Sequence, residues 1–318
     1  MKLRRDIILF GAVALAALVG GWWLLTKRPG VAIDTFADTY RRHEQASRPR
    51  LPPADAFRAT VCASSPCVAI EAGGLSFIFG AGQGGADGLR SLGLMHASID
   101  AILLPDLSLQ NTEGLSALAA ASGAMGRTEQ LKVYAPNGLV PIVDGANLMA
   151  STTQQPSRLV AGAEGEDQGL SGRLVFDSGV VAVRSFGGQD RGASRVYRID
   201  FEGKSMILAG CQSKSADVIT AARGARITGG VMLAGAPRLL GGKSACTDLG
   251  SVLSAARQGG LATLLVVPAD PSPELPEAIP AWQEVLGSEN APFARLGLPG
   301  ASLDLIGLTV PAAKPETP

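Results

Sequence analysis

Histidine is nearly absent from this sequence. Only His43 and His96 occur among 318 residues. Imidazole is the commonest metal ligand and the commonest general base near neutral pH, so a centre with several histidines cannot be assembled from this chain alone. His43 has no histidine or cysteine neighbour at ligand spacing, and we predict that it lies on the surface. We predict a surface or helix-capping position for His96.

A net charge of either sign is also missing. The chain has 28 Lys and Arg against 28 Asp and Glu, a formal charge of +0. It therefore lacks the basic excess with which a protein neutralises the phosphates of a nucleic acid, and we predict no nucleic-acid partner. Hydrophobic residues make up 46%, enough for a substantial core, and the length alone allows one large domain or two small ones.

The N-terminus carries an uncharged apolar run from Ile7 to Thr26, flanked by basic residues on both sides. About 20 such residues suffice to cross a bilayer as a helix. Trp22 and Trp23 near the far end suit a membrane interface. We predict a transmembrane anchor over residues 1–28, with a cleaved signal peptide as the alternative. Arg4 and Arg5 also suit a twin-arginine export signal, although paired arginines equally suit positive-inside charge.

The predicted organisation continues with a charged, proline-containing linker over residues 29–58, a globular domain over 59–310 and a disordered tail over 311–318. The domain pattern predicts short strands alternating with helices in two strand-rich halves. Two sheets packed face to face with helices outside fit this pattern. The polar region from Ser151 to Ser171 has no period and predicts an exposed loop. Gly80 to Gly85 lacks phosphate-loop spacing and predicts a structural turn.

One stretch places several polar side chains directly after an apolar strand. In AILLPDLSLQNTEGL, residues 101–115, an apolar strand ends at a turn and a polar segment leads into a helix. Its polar side chains include Asp106, Ser108, Gln110 and Asn111. None of these is a histidine.

Three segments resemble the metallo-β-lactamase fold, in particular the ribonuclease Z and arylsulfatase-like hydrolases. They are PCVAIEAGGLSFIFGAG, IDAILLPDLSLQNTEGLSALAAA and VYRIDFEGKSMILAGCQSKSADVITAARGARI. The resemblance runs from about Cys62 to about Val285. It implies a four-layer αββα sandwich and, in active members, two zinc ions that activate a bridging water.

The resemblance also implies where the metal ligands would fall, and none of the family's residues stands there. The histidine-rich run T-H-x-H-x-D-H-x-x-G falls on Pro105 to Gly114. The degenerate positions are Asp106, Ser108, Gln110, Asn111, Gly188, Cys211 and Pro268, together with Gly80, Ala234 and Cys246. We therefore predict no metal and no cofactor, with a weak, altered metal site at Asp106 and Cys211 as the alternative.

The four cysteines suit an oxidising compartment. Cys62 and Cys67 flank a short turn, and we predict a bridge that closes this loop. Cys211 and Cys246 fall on positions that line one pocket in the family, so the resemblance implies a second bridge across the former metal site. Two buried free thiols are the alternative, and a free Cys211 could instead be a nucleophile if a base lay beside it.

We therefore predict a metal-free pseudoenzyme that is anchored in the inner membrane, with its soluble domain in the periplasm. It would have a binding or scaffolding role and an envelope protein partner. A first alternative is a hydrolase with an altered site that uses Cys211 or Asp106. A second is a subunit of an envelope assembly, which predicts an exposed apolar patch.

Overall fold

A computed structural model describes residues 50–62, 66–94, 96–151, 158–188, 192–225, 227–235, 246–269, 275–288 and 291–308. The predicted anchor, most of the predicted linker, the predicted tail and His43 lie outside these residues. Within the described ranges, no helix is both long and apolar enough to cross a membrane.

Two mixed sheets form the centre of the domain. The first has the strand order β14-β1-β2-β3-β4-β5-β6, and the second has the order β13-β12-β11-β10-β9-β8-β7. The strands of the first sheet are β1 Phe57–Val61, β2 Val68–Ala72, β3 Leu75–Phe79, β4 Ala101–Leu103, β5 Leu131–Tyr134, β6 Leu159–Ala161 and β14 Ser302–Asp304. Those of the second are β7 Arg173–Asp177, β8 Val181–Phe186, β9 Val196–Phe201, β10 Lys204–Ala209, β11 Ile227–Ala234, β12 Thr263–Pro268 and β13 Ala294–Leu296.

Helices cover the outer face of each sheet. The first sheet carries α1 Gly85–Ser91, α2 Leu109–Thr112, α3 Leu115–Ala124 and α4 Leu139–Ala150. The second carries α5 Ser215–Ala222, α6 Leu249–Gln258 and α7 Leu275–Ser288. One apolar cluster lies between the sheets. Each sheet also has one apolar cluster between itself and its helices. This is the αββα sandwich that the sequence predicts.

The central strands are apolar on both faces because both faces are covered. In β10, for example, Met206 and Leu208 point into the cluster between the sheets, while Ile207 packs under the helices. Antiparallel pairing of β9 with β10 is closed by the two-residue turn Glu202–Gly203, in which both residues have positive φ. The sequence predicts this turn.

Several predictions at the margins are wrong. Leu159–Ala161 forms a strand within the region predicted as a loop, because it pairs in parallel with β5. His96 is fully buried rather than on the surface, since its short turn packs between α1 and α3. Its Nε2 lies 2.7 Å from the Ala86 carbonyl oxygen, and burial lowers its pKa. The predicted linker overlaps β1, which begins at Phe57.

A buried carboxylate fixes the point at which the described chain enters the first sheet. The side chain of Glu71 on β2 is 2% exposed and accepts hydrogen bonds from Arg50 at 2.5 and 3.1 Å and from Arg58 at 2.6 Å. Burial raises the pKa of Glu71, but the two guanidinium groups outweigh it, and the pKa lies below its ordinary value. The carboxylate therefore stays charged and joins the start of the body to the sheet.

Replacing Glu71 with Gln should lower the free energy of unfolding by about 2 kcal/mol. This is less than the roughly 3–5 kcal/mol of a fully buried pair, because both arginines are partly exposed. Since the folded pKa is lowered, the contribution is present above the unfolded pKa of about 4.3 and is lost as the pH falls through the folded value. Denaturant titration of the full chain in mild detergent at pH 7 and at low pH measures both effects.

The matched control is Asp87→Asn, which removes the exposed pair between Asp87 and Arg90. It should change the free energy of unfolding by less than about 0.5 kcal/mol. Equal losses for the two variants, or a Glu71→Gln loss that does not shrink at low pH, would contradict this account.

Candidate functional site

The predicted site positions gather at one end of the sandwich, which we call the site end. Gly80 follows β3, Asp106 follows β4, Gly188 follows β8 and Cys211 follows β10, while Ala234 and Pro268 are the last residues of β11 and β12. These strands all run toward the same end. The structure therefore brings these six positions to one end of the sandwich.

The loop after β4 is held by its own polar side chains. Asp106 is buried, and its Oδ1 accepts hydrogen bonds from the Ser108 amide and from Asn111 Nδ2, both at 2.9 Å. Asn111 Nδ2 also lies 3.1 Å from Ser108 Oγ. Asp106 therefore stabilises a turn that starts α2. Gln110 is half-buried on the same short helix.

Asn111 also joins this loop to the chain that follows β3. Its carbonyl oxygen accepts a hydrogen bond from the Ala81 amide, and the Gly114 amide donates to the Ala81 carbonyl. A Cβ on Gly114 would overlap the Gly82 carbonyl, so the two loops approach as closely as a glycine allows. Asn111 Oδ1 is buried without a hydrogen-bond partner among the described residues.

The position of Gly80 has no room for a side chain. Its φ is positive, and a Cβ there would lie 2.6 Å from the Pro66 carbonyl oxygen and 3.2 Å from Asn111 Oδ1. In the family resemblance this position corresponds to an aspartate. Here the backbone of the Cys62–Cys67 loop occupies the space in which that side chain would begin.

Direct contacts join the two sheets at the site end. The ring of Pro105 packs against Gly210, where even a Cβ would overlap it. The Arg195 amide donates to the Pro105 carbonyl at 2.6 Å. The hydroxyl of Tyr197, on β9, lies 2.9 Å from the Leu104 carbonyl oxygen and 3.0 Å from that of Tyr134. Burial, and then the charge of Glu164, raise the pKa of Tyr197 well above its ordinary value, so it remains a neutral donor.

Both predicted disulfides are present and pair all four cysteines. Cys62 bonds to Cys67, and Cys211 bonds to Cys246 with a Cα separation of 4.5 Å. The Thr247 amide also donates to the Cys211 carbonyl at 2.8 Å. The end of β10 is therefore fixed to the segment that precedes α6, and the Cys211 sulfur is not a thiol.

A buried charge cluster beside the site escaped sequence analysis. Arg195 is 1% exposed and donates to Glu164 at 2.8 Å and to the Gly187 carbonyl at 2.9 Å. Arg173 donates to the same carbonyl and pairs with Asp167. Burial raises the pKa of Glu164, and Arg195 opposes this effect. Arg195 and Glu164 are 31 residues apart in sequence, and no local motif signals their pairing.

The described residues do not fit the two zinc ions that the resemblance implies. Zinc needs several nitrogen, sulfur or carboxylate donors around one point. Asp106 Oδ1 is engaged in its turn, the sulfur of Cys211 is in a disulfide, and Gly80, Gly188 and Pro268 offer no side-chain donor. Across the described part of the chain, no group of three or more His, Cys, Asp and Glu side chains could hold a metal ion.

Comparison with known proteins identifies the fold. No family model and no curated protein sequence matches the chain. Among solved structures, the short form of human tRNase Z superposes with a TM-score of 0.57 at 14% identity, covering 80% of this chain and 100% of that one. The metallo-β-lactamase fold protein YhfI from Bacillus subtilis gives 0.56 at 12% identity, covering 78% and 99%. This chain therefore has the metallo-β-lactamase fold.

Proposed function

We propose that this protein is a membrane-anchored pseudoenzyme of the metallo-β-lactamase fold that binds or scaffolds a partner in the cell envelope. The observation that carries the proposal is the closure of the site end. Pro105 and Gly210 are in contact at the edge where loops from both sheets meet. This contact leaves no room for even a methyl group at Gly210, which supports a closed edge.

The missing donors support the same conclusion independently. Two dications need basic, charged ligands to hold them and to lower the pKa of a bound water. The side chains at the ligand positions are mostly neutral amides, hydroxyls or glycines, and the one carboxylate, Asp106, already stabilises its own loop. We therefore propose that no metal ion acts in this protein.

The alternative is a hydrolase that uses Cys211 or Asp106 without the family's metals. A thiol nucleophile requires a free sulfur with a base or cation beside it. Cys211 is instead cross-linked to Cys246. Asp106 has Asn111 and the Ser108 amide as partners, and His96, the histidine of the described residues, is buried between helices. This geometry favours binding over catalysis.

An extracytoplasmic location is part of the proposal. Disulfides persist in oxidising compartments, and all four cysteines are paired. The apolar run from Ile7 to Thr26, with basic residues before it, supports a single anchor in the inner membrane and a periplasmic body. The formal charge of +0 gives no support for a nucleic-acid partner.

Metal analysis tests the central claim. Full-length protein purified in detergent should contain far less than one zinc or iron per chain, and EDTA should leave its melting temperature unchanged, because a chelator destabilises only a fold that binds metal. A histidine-bearing hydrolase of the same fold, purified in parallel, serves as the positive control. Near-stoichiometric metal, or a lower melting temperature in EDTA, would contradict the pseudoenzyme proposal.

A pair of glycine substitutions tests the closed edge. Gly210→Ala should lower the free energy of unfolding by about 1–3 kcal/mol, since the new methyl group overlaps Pro105 and forces the two sheets apart. Gly145→Ala, inside α4 with no atom within 4 Å of its Cβ position, should raise it by about 0.5–1 kcal/mol. Denaturant titration measures both. A Gly210→Ala chain as stable as the wild type would mean that the edge is open.

Activity assays test the hydrolase alternative. Phosphodiester and ester reporters should show no turnover above a protein-free blank. Any residual turnover should be the same in Asp106→Asn and Cys211→Ser as in the wild type, since neither residue is placed to attack or activate a substrate. Turnover that disappears in one of these variants, while their melting temperatures stay near the wild-type value, would favour the hydrolase.

A further inference from the structure

The sandwich has a second end, opposite the site end, which we call the hairpin end. It carries the β2–β3 turn at Gly73–Gly74 and the β9–β10 turn at Glu202–Gly203. Helix α4 also ends there. In its last turn, the side-chain amide of Asn147 donates to the Leu159 carbonyl and accepts from the Leu159 amide, where β6 begins. The two ends therefore present different surfaces.

Exposed apolar side chains concentrate at the hairpin end. Eight large hydrophobic residues are exposed in the described part of the chain. Those at the hairpin end are Leu51, Leu148, Met149, Val180 and Ile306. Three others, Leu109, Val140 and Leu170, lie at the site end. Leu51 and the α4 pair belong to the helical layer of the first sheet.

The chain outside the described residues joins the body at this same end. The Arg50 amide donates to the Gly93 carbonyl just after α1, and its guanidinium pairs with Glu71 near the β2–β3 turn. Residues 29–49 separate Arg50 from the predicted anchor. A chain of about 20 residues spans at most about 70 Å when extended and about 25 Å on average as a flexible coil. The hairpin end is therefore the part of the body to which the predicted linker attaches.

We propose that the hairpin end rests on the lipid bilayer through Leu51, Leu148 and Met149. This inference rests on the anchor in the proposed function. Three exposed apolar side chains bind lipid weakly by themselves, but a tether makes the encounter intramolecular and raises the effective concentration of the surface. The contact removes these side chains from water, and it directs the site end away from the membrane toward soluble partners.

Charge selects the first-sheet side of this end for the contact. On the second-sheet side, an open hollow of about 240 Å³ is lined by Asp177, Asp200 and Glu202 around Val180. Arg198 pairs with one of these carboxylates, Asp200, at 2.6 Å. Removing charged carboxylates from water against a bilayer is costly. The docking is therefore an insertion of apolar side chains, and salt should leave it nearly unchanged.

Fluorescence quenching in nanodiscs tests the docking. The full-length chain with Leu148→Cys carries one added thiol, because the native cysteines are paired. Labelled with an environment-sensitive dye, it should be quenched several-fold more strongly by nitroxide lipids than a Leu109→Cys control. The two positions match closely, at 74% and 73% exposure, and lie at opposite ends. Adding Leu51→Asp to the Leu148→Cys chain should weaken the quenching, and adding Val140→Asp should not.

The outcomes separate this inference from the proposed function. A chain that enters nanodiscs but shows the same weak quenching at both positions retains its anchor and overturns the docking. A chain that fails to enter nanodiscs loses the anchor and the docking together. Energy transfer between labelled chains at position 148, without lipid quenching, would assign the surface to a second copy and also overturn the proposal.

Discussion

The hydroxyl of Tyr197 is the contact on which the site end depends. The side chain of Tyr197 extends from the second sheet across the apolar layer. Its hydroxyl donates to the carbonyl oxygens of Leu104 and Tyr134, where two strands of the first sheet end. A buried phenol without a partner would be costly, so this bond fixes the spacing of the sheets. With that spacing set, the Arg195 amide meets Pro105 and the ring of Pro105 meets Gly210.

The chemistry of this end follows from that closeness. In a hydrolase with zinc, charge between the two sheets would come from ions held by side chains of several loops. Here two guanidinium groups, Arg195 and Arg173, pair with Glu164 and Asp167 beside the contact between the sheets. The carboxylate of Asp106 is held by its own turn.

Sequence analysis predicted what depends on local pattern. The central strands β3, β10 and β12 are apolar runs bounded by turns, and they form where that pattern predicts them. It failed where the decisive contact is distant in sequence. Leu159–Ala161 is a strand only because β5 lies beside it, and His96 is buried only because α1 and α3 close over it.

The backbone around Gly80 leaves no space for a carboxylate side chain. A new aspartate there would need positive φ and would begin 2.6 Å from the Pro66 carbonyl oxygen. Pro66 lies inside the loop that the Cys62–Cys67 disulfide closes, so that carbonyl cannot move away easily. A carboxylate at this position would require this loop to be remodelled first. A disulfide that lies outside the two sheets therefore determines which side chains the end of β3 can carry.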